Sequence, residues 1–297
     1  MEMHQLRYVV AVARTGNFSR AAEQCRVAQP SLSQQILKLE DELGERLFDR
    51  RHREVRLTVH GEAFLGRAVR ILEEVEAARR EASDAQQLLR GTIRLGVLPT
   101  LAPYLLPQTL AEFTEEFPGI EWVVNEDTTE RLVQLALAHE LDFALASLPI
   151  RNDRLELKLL FTEELLLALP SDHPLARRRA VNAADLEDQR LIVMKEGHCL
   201  GDQVLAFCER QDARVQIRFR SAQLETVQAL VASGLGISLV PQLAAVRNGE
   251  TGPEYRPFRS PKPRREIVAL WPRQRPPGRA AAIFLERLAV RFRSAKP

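Results

Sequence analysis

The chain has 297 residues, 45% hydrophobic and 28% charged, with a formal net charge of +2. At ~150 residues per domain this length suggests about two domains, and the composition is that of a globular protein rather than a disordered or fibrous one. No apolar run approaches the ~18 residues a membrane span needs, the Met1-Glu2-Met3-His4 start does not read as a secretory signal, and three cysteines are too few for a disulfide framework, so a cytoplasmic protein with no membrane partner is expected.

Leu6, Val9, Val10 and Ala13 recur at helical spacing and predict a first helix, which Gly16-Asn17 breaks. Ser19 is the expected cap of a second short helix over Ala21, Ala22 and Cys25. After a turn at Val27-Ala28-Gln29, Pro30 suits the first position of a third helix. That helix should bury Leu32, Ile36, Leu39 and Leu43 and end at Gly44. Leu47-Phe48 and the alternating Val55, Leu57 and Val59 predict a two-stranded wing with arginines around its tip. Two short helices, a tight turn and a wing are the layout of a winged helix-turn-helix that reads double-stranded DNA. The plain alternative is a small helical bundle whose polar face meets water. The basic wing favours DNA, because arginines there would meet phosphates. On that reading Gln29, Pro30, Ser31, Ser33 and Gln34 enter the groove, while Arg50, Arg51 and Arg53 hold the backbone.

From about His60 to Leu89 one long helix is expected. Leu65, Ala68, Leu72, Val75, Ala82 and Leu89 lie near a heptad seam, interrupted by Arg79 and Gln86. Such a helix suits a dimerising linker, or packing on another domain. Beyond Gly91 the pattern becomes α/β. Strands are predicted over 92–97, 121–125, 141–146, 165–170, 191–194, 215–219, 237–240 and 267–271, with helices over 106–116, 130–139 and 279–292. Their alternation predicts parallel sheets covered by helices, with ligands beyond the strand ends. The basic stretch from Arg256 to Lys296, opposed only by Glu266 and Glu286, reads most simply as a solvated face. No Gly-rich phosphate loop and no cluster at metal-ligand spacing is visible, so neither a cofactor nor a metal is expected. The expected domains are 1–59, 60–90 and 91–297.

The segment AQPSLSQQILKLEDELGERLFDR, Ala28 to Arg50, resembles the recognition helix and wing of LysR-type transcriptional regulators. GLGISLVP, Gly234 to Pro241, is similar to that family's effector-domain signature. The resemblance spans the chain. It implies a winged helix-turn-helix, a long linker helix, and a two-lobed α/β effector domain like a periplasmic binding protein. It also implies a homodimer or homotetramer on promoter DNA, with RNA polymerase as a further partner, and a regulator rather than an enzyme. GHCLGDQVLAFC, Gly197 to Cys208, with LPTLAPYLLP and PKPRRE elsewhere, resembles the peroxide-sensing OxyR branch. Carried over by position, Cys199 matches the peroxidatic cysteine and Cys208 the resolving one. Thr100, Thr129, His198, Asp202 and Arg265 match residues lining the peroxide pocket. Hydrogen peroxide is then the signal, and a thiol reductant resets the switch. Gly201 departs from the bulkier residue of that branch, and Lys195-Glu196 from a more acidic pair.

On a single helix, Cys199 and Cys208 would stand ~13.5 Å apart on opposite faces. A disulfide needs Cα atoms within ~7 Å, so closing it must unwind or displace the segment. Cys199, just before the helix expected over 202–210 and beside His198, is expected to favour the thiolate, and Cys208, beside Phe207, to begin buried and inert. Cys25 reads as core packing. Two other readings stay open. One is a regulator that binds a small anionic metabolite between its lobes, with Thr100 and Arg265 serving a carboxylate. The other is a thiol peroxidase, which the helix-turn-helix disfavours.

Overall fold

The structure, a computed structural model, describes residues 1–49, 55–83, 90–245 and 252–294. The chain divides into two compact units, Met1–Gln87 and Leu88–Pro297. Arg50, Arg51, Arg53, Gln86 and Leu89 lie outside the described residues.

In the first unit, α1 (Met3–Thr15), α2 (Phe18–Gln24) and α3 (Gln29–Leu43) pack around Val9, Val12, Ala21, Leu32, Ile36 and Leu39. The cap of α2 is Asn17, not the expected Ser19. The Asn17 side chain accepts from the backbone N–H groups of Ser19 and Arg20 at 2.8 and 3.1 Å. Gly16 makes room for it by ending α1 in the left-handed conformation, φ 63°. Helix α3 starts at Gln29, one residue before Pro30. Leu43, expected inside, is exposed at the last turn, and the inner position goes to Glu40. The buried Glu40 carboxylate accepts from the backbone N–H groups of Leu47 and Phe48 at 2.8 and 3.1 Å, which fixes the wing's first strand. That strand, β1 (Phe48–Asp49), pairs antiparallel with β2 (Arg56–Leu57). Val59 does not continue the wing. It is 81% exposed at the start of α4 (Val59–Ser83), where the Thr58 hydroxyl accepts from Gly61 N–H at 3.0 Å and caps the helix. Leu65, Ala68 and Leu72 pack against Leu6 and Val10 of α1, so this part of the seam is used within the unit.

The second unit has two lobes. In the first, β3 (Gly91–Val97), α5 (Ala102–Glu116), β4 (Ile120–Glu126), α6 (Thr129–Leu137) and β5 (Phe143–Ser147) alternate, and β3 runs parallel to β4 and β5. The second holds β7 (Arg190–Met194), α7 (Cys199–Arg210), β8 (Gln216–Ser221), α8 (Leu224–Ala232), β9 (Ser238–Pro241) and β10 (Glu254–Arg256). Two long strands join the lobes: β6 (Leu155–Leu169) and β11 (Arg264–Pro272), paired antiparallel. The sheet is therefore mixed rather than purely parallel. Strand β6 is also ten residues longer at its start than expected, because Thr162-Glu163-Glu164 interrupts its apolar run without ending it. Leu155, Leu160 and Phe161 of β6 belong to the first lobe's core, and Leu165, Leu167 and Leu169 to the second's. Helix α9 (Arg279–Ser294) closes the first core through Phe284, Leu285 and Leu288. Among the described residues no helix is long and apolar enough to cross a membrane.

Candidate functional site

Cys199 is the first residue of α7, and His198 is its N-cap. The two cysteines occupy opposite ends of one unbroken helix, and all three cysteines of the chain are free. Their environments differ by lobe. Cys199 reaches across and packs against the first lobe's core, whereas Cys208 is buried in the second lobe's core, the cluster that also holds Phe207 and Phe258. At Gly201 the first turn of α7 runs close against the end of β7. A Cβ there would stand 2.7 Å from the Met194 carbonyl oxygen, so a bulkier residue would push the helix away.

Arg265 is completely buried on β11, directly across from Glu163 on β6. Its Nε and Nη2 donate to Glu163 Oε1 at 2.7 and 2.6 Å. Its Nη1 donates to Thr100 Oγ1 at 2.9 Å, and Nη2 reaches the Thr100 carbonyl oxygen at 3.2 Å. The second Glu163 oxygen accepts from Leu243 N–H at 3.0 Å. All three nitrogens of the guanidinium are thus engaged within the protein. Arg265 is already paired with Glu163, which disfavours the reading in which it pairs with a metabolite carboxylate.

Thr129, Cys199, Asp202 and Gln203 line a cleft of ≈ 600 Å³, with Arg151 and Arg210 also in its wall. Thr100, His198 and Arg265 are not part of that wall. Thr129 faces the Cys199 thiol closely enough to favour its thiolate, yet its hydroxyl makes no hydrogen bond of ordinary geometry. Gln203 donates from Nε2 to Ser147 Oγ at 2.8 Å and to the Leu148 carbonyl oxygen at 2.7 Å, leaving Oε1 buried without a donor. Thr129 and Gln203 thus each bring a buried polar oxygen to the residues of the cleft wall. Glu163 and Gln203 were not anticipated. Gln203 was findable, since four residues after Cys199 on a helix it lies on the same face. Glu163 carried no such signal.

Burial pushes the Cys199 thiol pKa above its ordinary value. Thr129, Arg265 and the Leu200 N–H pull it down without restoring it, and Asp202 adds to the rise. The helix start therefore does not make Cys199 a resting thiolate; desolvation outweighs the N–H groups. Below the raised pKa each pH unit changes the thiolate fraction about tenfold. Oxidation by stoichiometric hydrogen peroxide should accelerate about tenfold per unit between about pH 6 and 8. A rate already flat at pH 7, followed by rapid quenching and mass spectrometry, would refute this. Burial lowers the His198 pKa, and Lys195 lowers it further against the opposite pull of Asp127, so the imidazole is neutral at neutral pH. Burial raises the Cys208 and Cys25 thiols as well. Cys25 sits at the end of α2 against the first unit's core. Among the described residues no group of three or more His, Cys, Asp and Glu could hold a metal ion.

In the first unit, Gln29, Pro30, Ser31 and Gln34 are exposed together at the start of α3. Ser33 is half-buried, on the same face as the buried Glu40 two turns on. Gln35 is held inward, accepting from Gln5 Nε2 at 3.2 Å.

Comparison with known proteins places these features. Residues 3–62 match the bacterial regulatory helix-turn-helix protein, lysR family, and residues 86–293 match the LysR substrate binding domain. The DNA-binding transcriptional dual regulator OxyR of Escherichia coli is 38% identical over 268 residues, 90% of this chain and 88% of that protein. A cysteine variant of full-length OxyR from Pseudomonas aeruginosa has a TM-score of 0.72 at 33% identity, covering 97% of this chain and 94% of the other. A peroxide-bound cysteine variant of Corynebacterium glutamicum OxyR has a TM-score of 0.67 at 32% identity, covering 99% and 93%. With both halves matched and relatives similar over nine-tenths of its length, the chain belongs to the LysR family of DNA-binding transcriptional regulators, in its OxyR branch.

Proposed function

We propose that this chain is a promoter-binding regulator switched by hydrogen peroxide, through reversible formation of a disulfide between Cys199 and Cys208. The observation that carries this reading is the helix itself. One intact α7 seats its two cysteines in the cores of two different lobes, so joining them must rearrange the unit. The chemistry balances without a cofactor. The Cys199 thiolate attacks one peroxide oxygen, the O–O bond breaks, and the second oxygen leaves as hydroxide and takes up a proton to become water. Cys199 becomes a sulfenic acid. The Cys208 sulfur then attacks the Cys199 sulfur, the S–S bond forms and a second water leaves. The Thr129 hydroxyl, next to the Cys199 thiol, is the group placed to give bound peroxide a hydrogen bond, and Gln203 stands in the same cleft wall. The resemblance adds Thr100, His198, Asp202 and Arg265 to the pocket; of these, Asp202 lines the cleft and Arg265 lies near enough to Cys199 to favour its thiolate. A thiol reductant returns the pair to two thiols.

DNA reading is assigned to Gln29, Pro30, Ser31, Ser33 and Gln34 in the groove, with Arg50, Arg51 and Arg53 on the phosphates. The active form is a homodimer or homotetramer in the cytoplasm, and its regulation of promoters engages RNA polymerase. Peptide mass mapping after stoichiometric hydrogen peroxide, with free thiols blocked before digestion, tests the switch. A Cys199–Cys208 linkage with Cys25 still free is expected, together with an altered promoter footprint that Cys199→Ser abolishes. Persistently free thiols, or a footprint that still changes in Cys199→Ser, would overturn the reading.

A further inference from the structure

Tyr104 lies one turn beyond Thr100, on α5 of the first lobe, yet its ring packs against the second lobe's core. It is the counterpart of Cys199, which comes from the second lobe and packs against the first. The Tyr104 hydroxyl has two acceptors for its one proton, Glu225 Oε1 at 3.0 Å and Gln228 Oε1 at 3.2 Å, both on α8. Gln228 passes the connection on. Its Nε2 donates to the Ala244 carbonyl oxygen and to Tyr255 Oη, each at 2.8 Å. Ala244 belongs to the short 3-10 turn Gln242–Ala244, and the neighbouring Leu243 N–H donates to Glu163 Oε2 at 3.0 Å. Glu163 holds Arg265, Arg265 holds Thr100, and Thr100 leads into α5 and back to Tyr104.

These contacts form a closed circuit that runs through both lobes and includes Arg265, whose charge acts on the Cys199 thiol. We propose that Tyr104 is a positioning residue for the peroxide reaction, its hydroxyl fixing α8 and the 242–244 turn so that Glu163 and Arg265 hold Thr100 in place. This rests on the reading of Cys199 as the peroxide-reactive thiol. Tyr104 itself touches neither peroxide nor sulfur. Its influence travels through groups that have one arrangement while the circuit is closed and more freedom once it is cut. Misplacing a group in a reacting pair by a fraction of an ångström is enough to slow a reaction markedly.

The test uses the full chain and two reagents on Cys199: hydrogen peroxide, and iodoacetamide, which needs no peroxide-positioning group. Tyr104→Phe keeps the ring and removes the link. It should slow oxidation of Cys199 about tenfold and leave alkylation within about twofold of the parent. In a Thr100→Val background, Tyr104→Phe should add less than about twofold, because the group it acts through is already gone. Gln228→Met cuts the circuit at its next link and carries the same expectations should Tyr104→Phe fail to fold. An unchanged peroxide rate, equal slowing with both reagents, or the full tenfold loss on top of Thr100→Val would overturn the inference. If the parent itself is not oxidised at Cys199, the peroxide reading and this inference fall together. If the parent reacts and Tyr104→Phe reacts as fast, only the inference falls.

Discussion

Leucine in place of Glu163 is expected to cost more stability than any other substitution considered for the second unit. Arg265 is 1% exposed and lies across the two strands that join the lobes. Its charge is compensated by one carboxylate, contacted by two guanidinium nitrogens at 2.7 and 2.6 Å. Removing that carboxylate leaves a buried cation without a counterion, and the Leu243 N–H without its acceptor. Breaking a buried pair from one side costs about 3–5 kcal/mol. That is a large part of the ~5–15 kcal/mol that holds a typical domain folded. Urea unfolding of the full chain, followed by a probe in the second unit, should show this loss. A loss below about 1 kcal/mol would mean that Arg265 finds another partner, and that the pair does not hold the pocket. Replacing both residues, Glu163→Leu with Arg265→Met, should recover much of the stability because no charge is left stranded. It should not recover the peroxide reaction, since Thr100 has then lost its donor. The two variants together separate what the pair does for folding from what it does for the site.

The parts of this fold that were legible in the sequence are those governed by local repetition. Most of the apolar face of α3, the glycine that ends it and the existence of a two-stranded wing follow from spacing and turn chemistry, and Leu32, Ile36 and Leu39 are all fully buried. The helix over 202–210 was equally legible, but its extension back to Cys199 was not, because Gly201 is a poor helix former and gains its place only by packing close to Met194. The failures share a cause. Glu163 lies in a leucine-rich run, where two adjacent glutamates read as the connection before a strand that starts at Leu165. Only the pairing with Arg265 on a strand a hundred residues away makes it a buried core position. Glu40 likewise looks like a surface residue until the wing's N–H groups, seven and eight residues on, are seen to need it. The raised pKa of Cys199 is hidden from the sequence for the same reason. Sequence shows the helix start that lowers it, and not the opposite lobe that buries it. Lys195, by contrast, was visible as a departure from the branch pattern, and its effect is local: it helps keep His198 neutral.

Alanine in place of Cys208 is expected to separate sensing from switching. The substitution removes the resolving sulfur and leaves only a small void in the second lobe's core, at a cost of about 1 kcal/mol. Cys199 keeps every neighbour it has, so the first step, formation of the sulfenic acid, should proceed at close to the parent rate. The second step has no sulfur to complete it. That step carries the structural work. Leu200, Val204 and Phe207 are buried on the same helix and hold it against the second lobe's core. Freeing all three would cost about 5–9 kcal/mol, the usual range for exposing side chains of this size. At 1.4 kcal/mol per 30 mV, such a cost makes the disulfide substantially more oxidising than one formed without rearrangement. It also means that a sulfenic acid alone, which forms no bond across the helix, supplies no force to unwind α7. In Cys208→Ala treated with peroxide, amide exchange within 199–210 should therefore stay as slow as in the reduced protein, and the promoter footprint should remain the reduced one. The parent under the same treatment should lose protection over this segment and change its footprint. If Cys208→Ala switches its footprint fully, oxidation of Cys199 alone drives the change, and the strain stored by closing a bond across α7 is not the source of the signal.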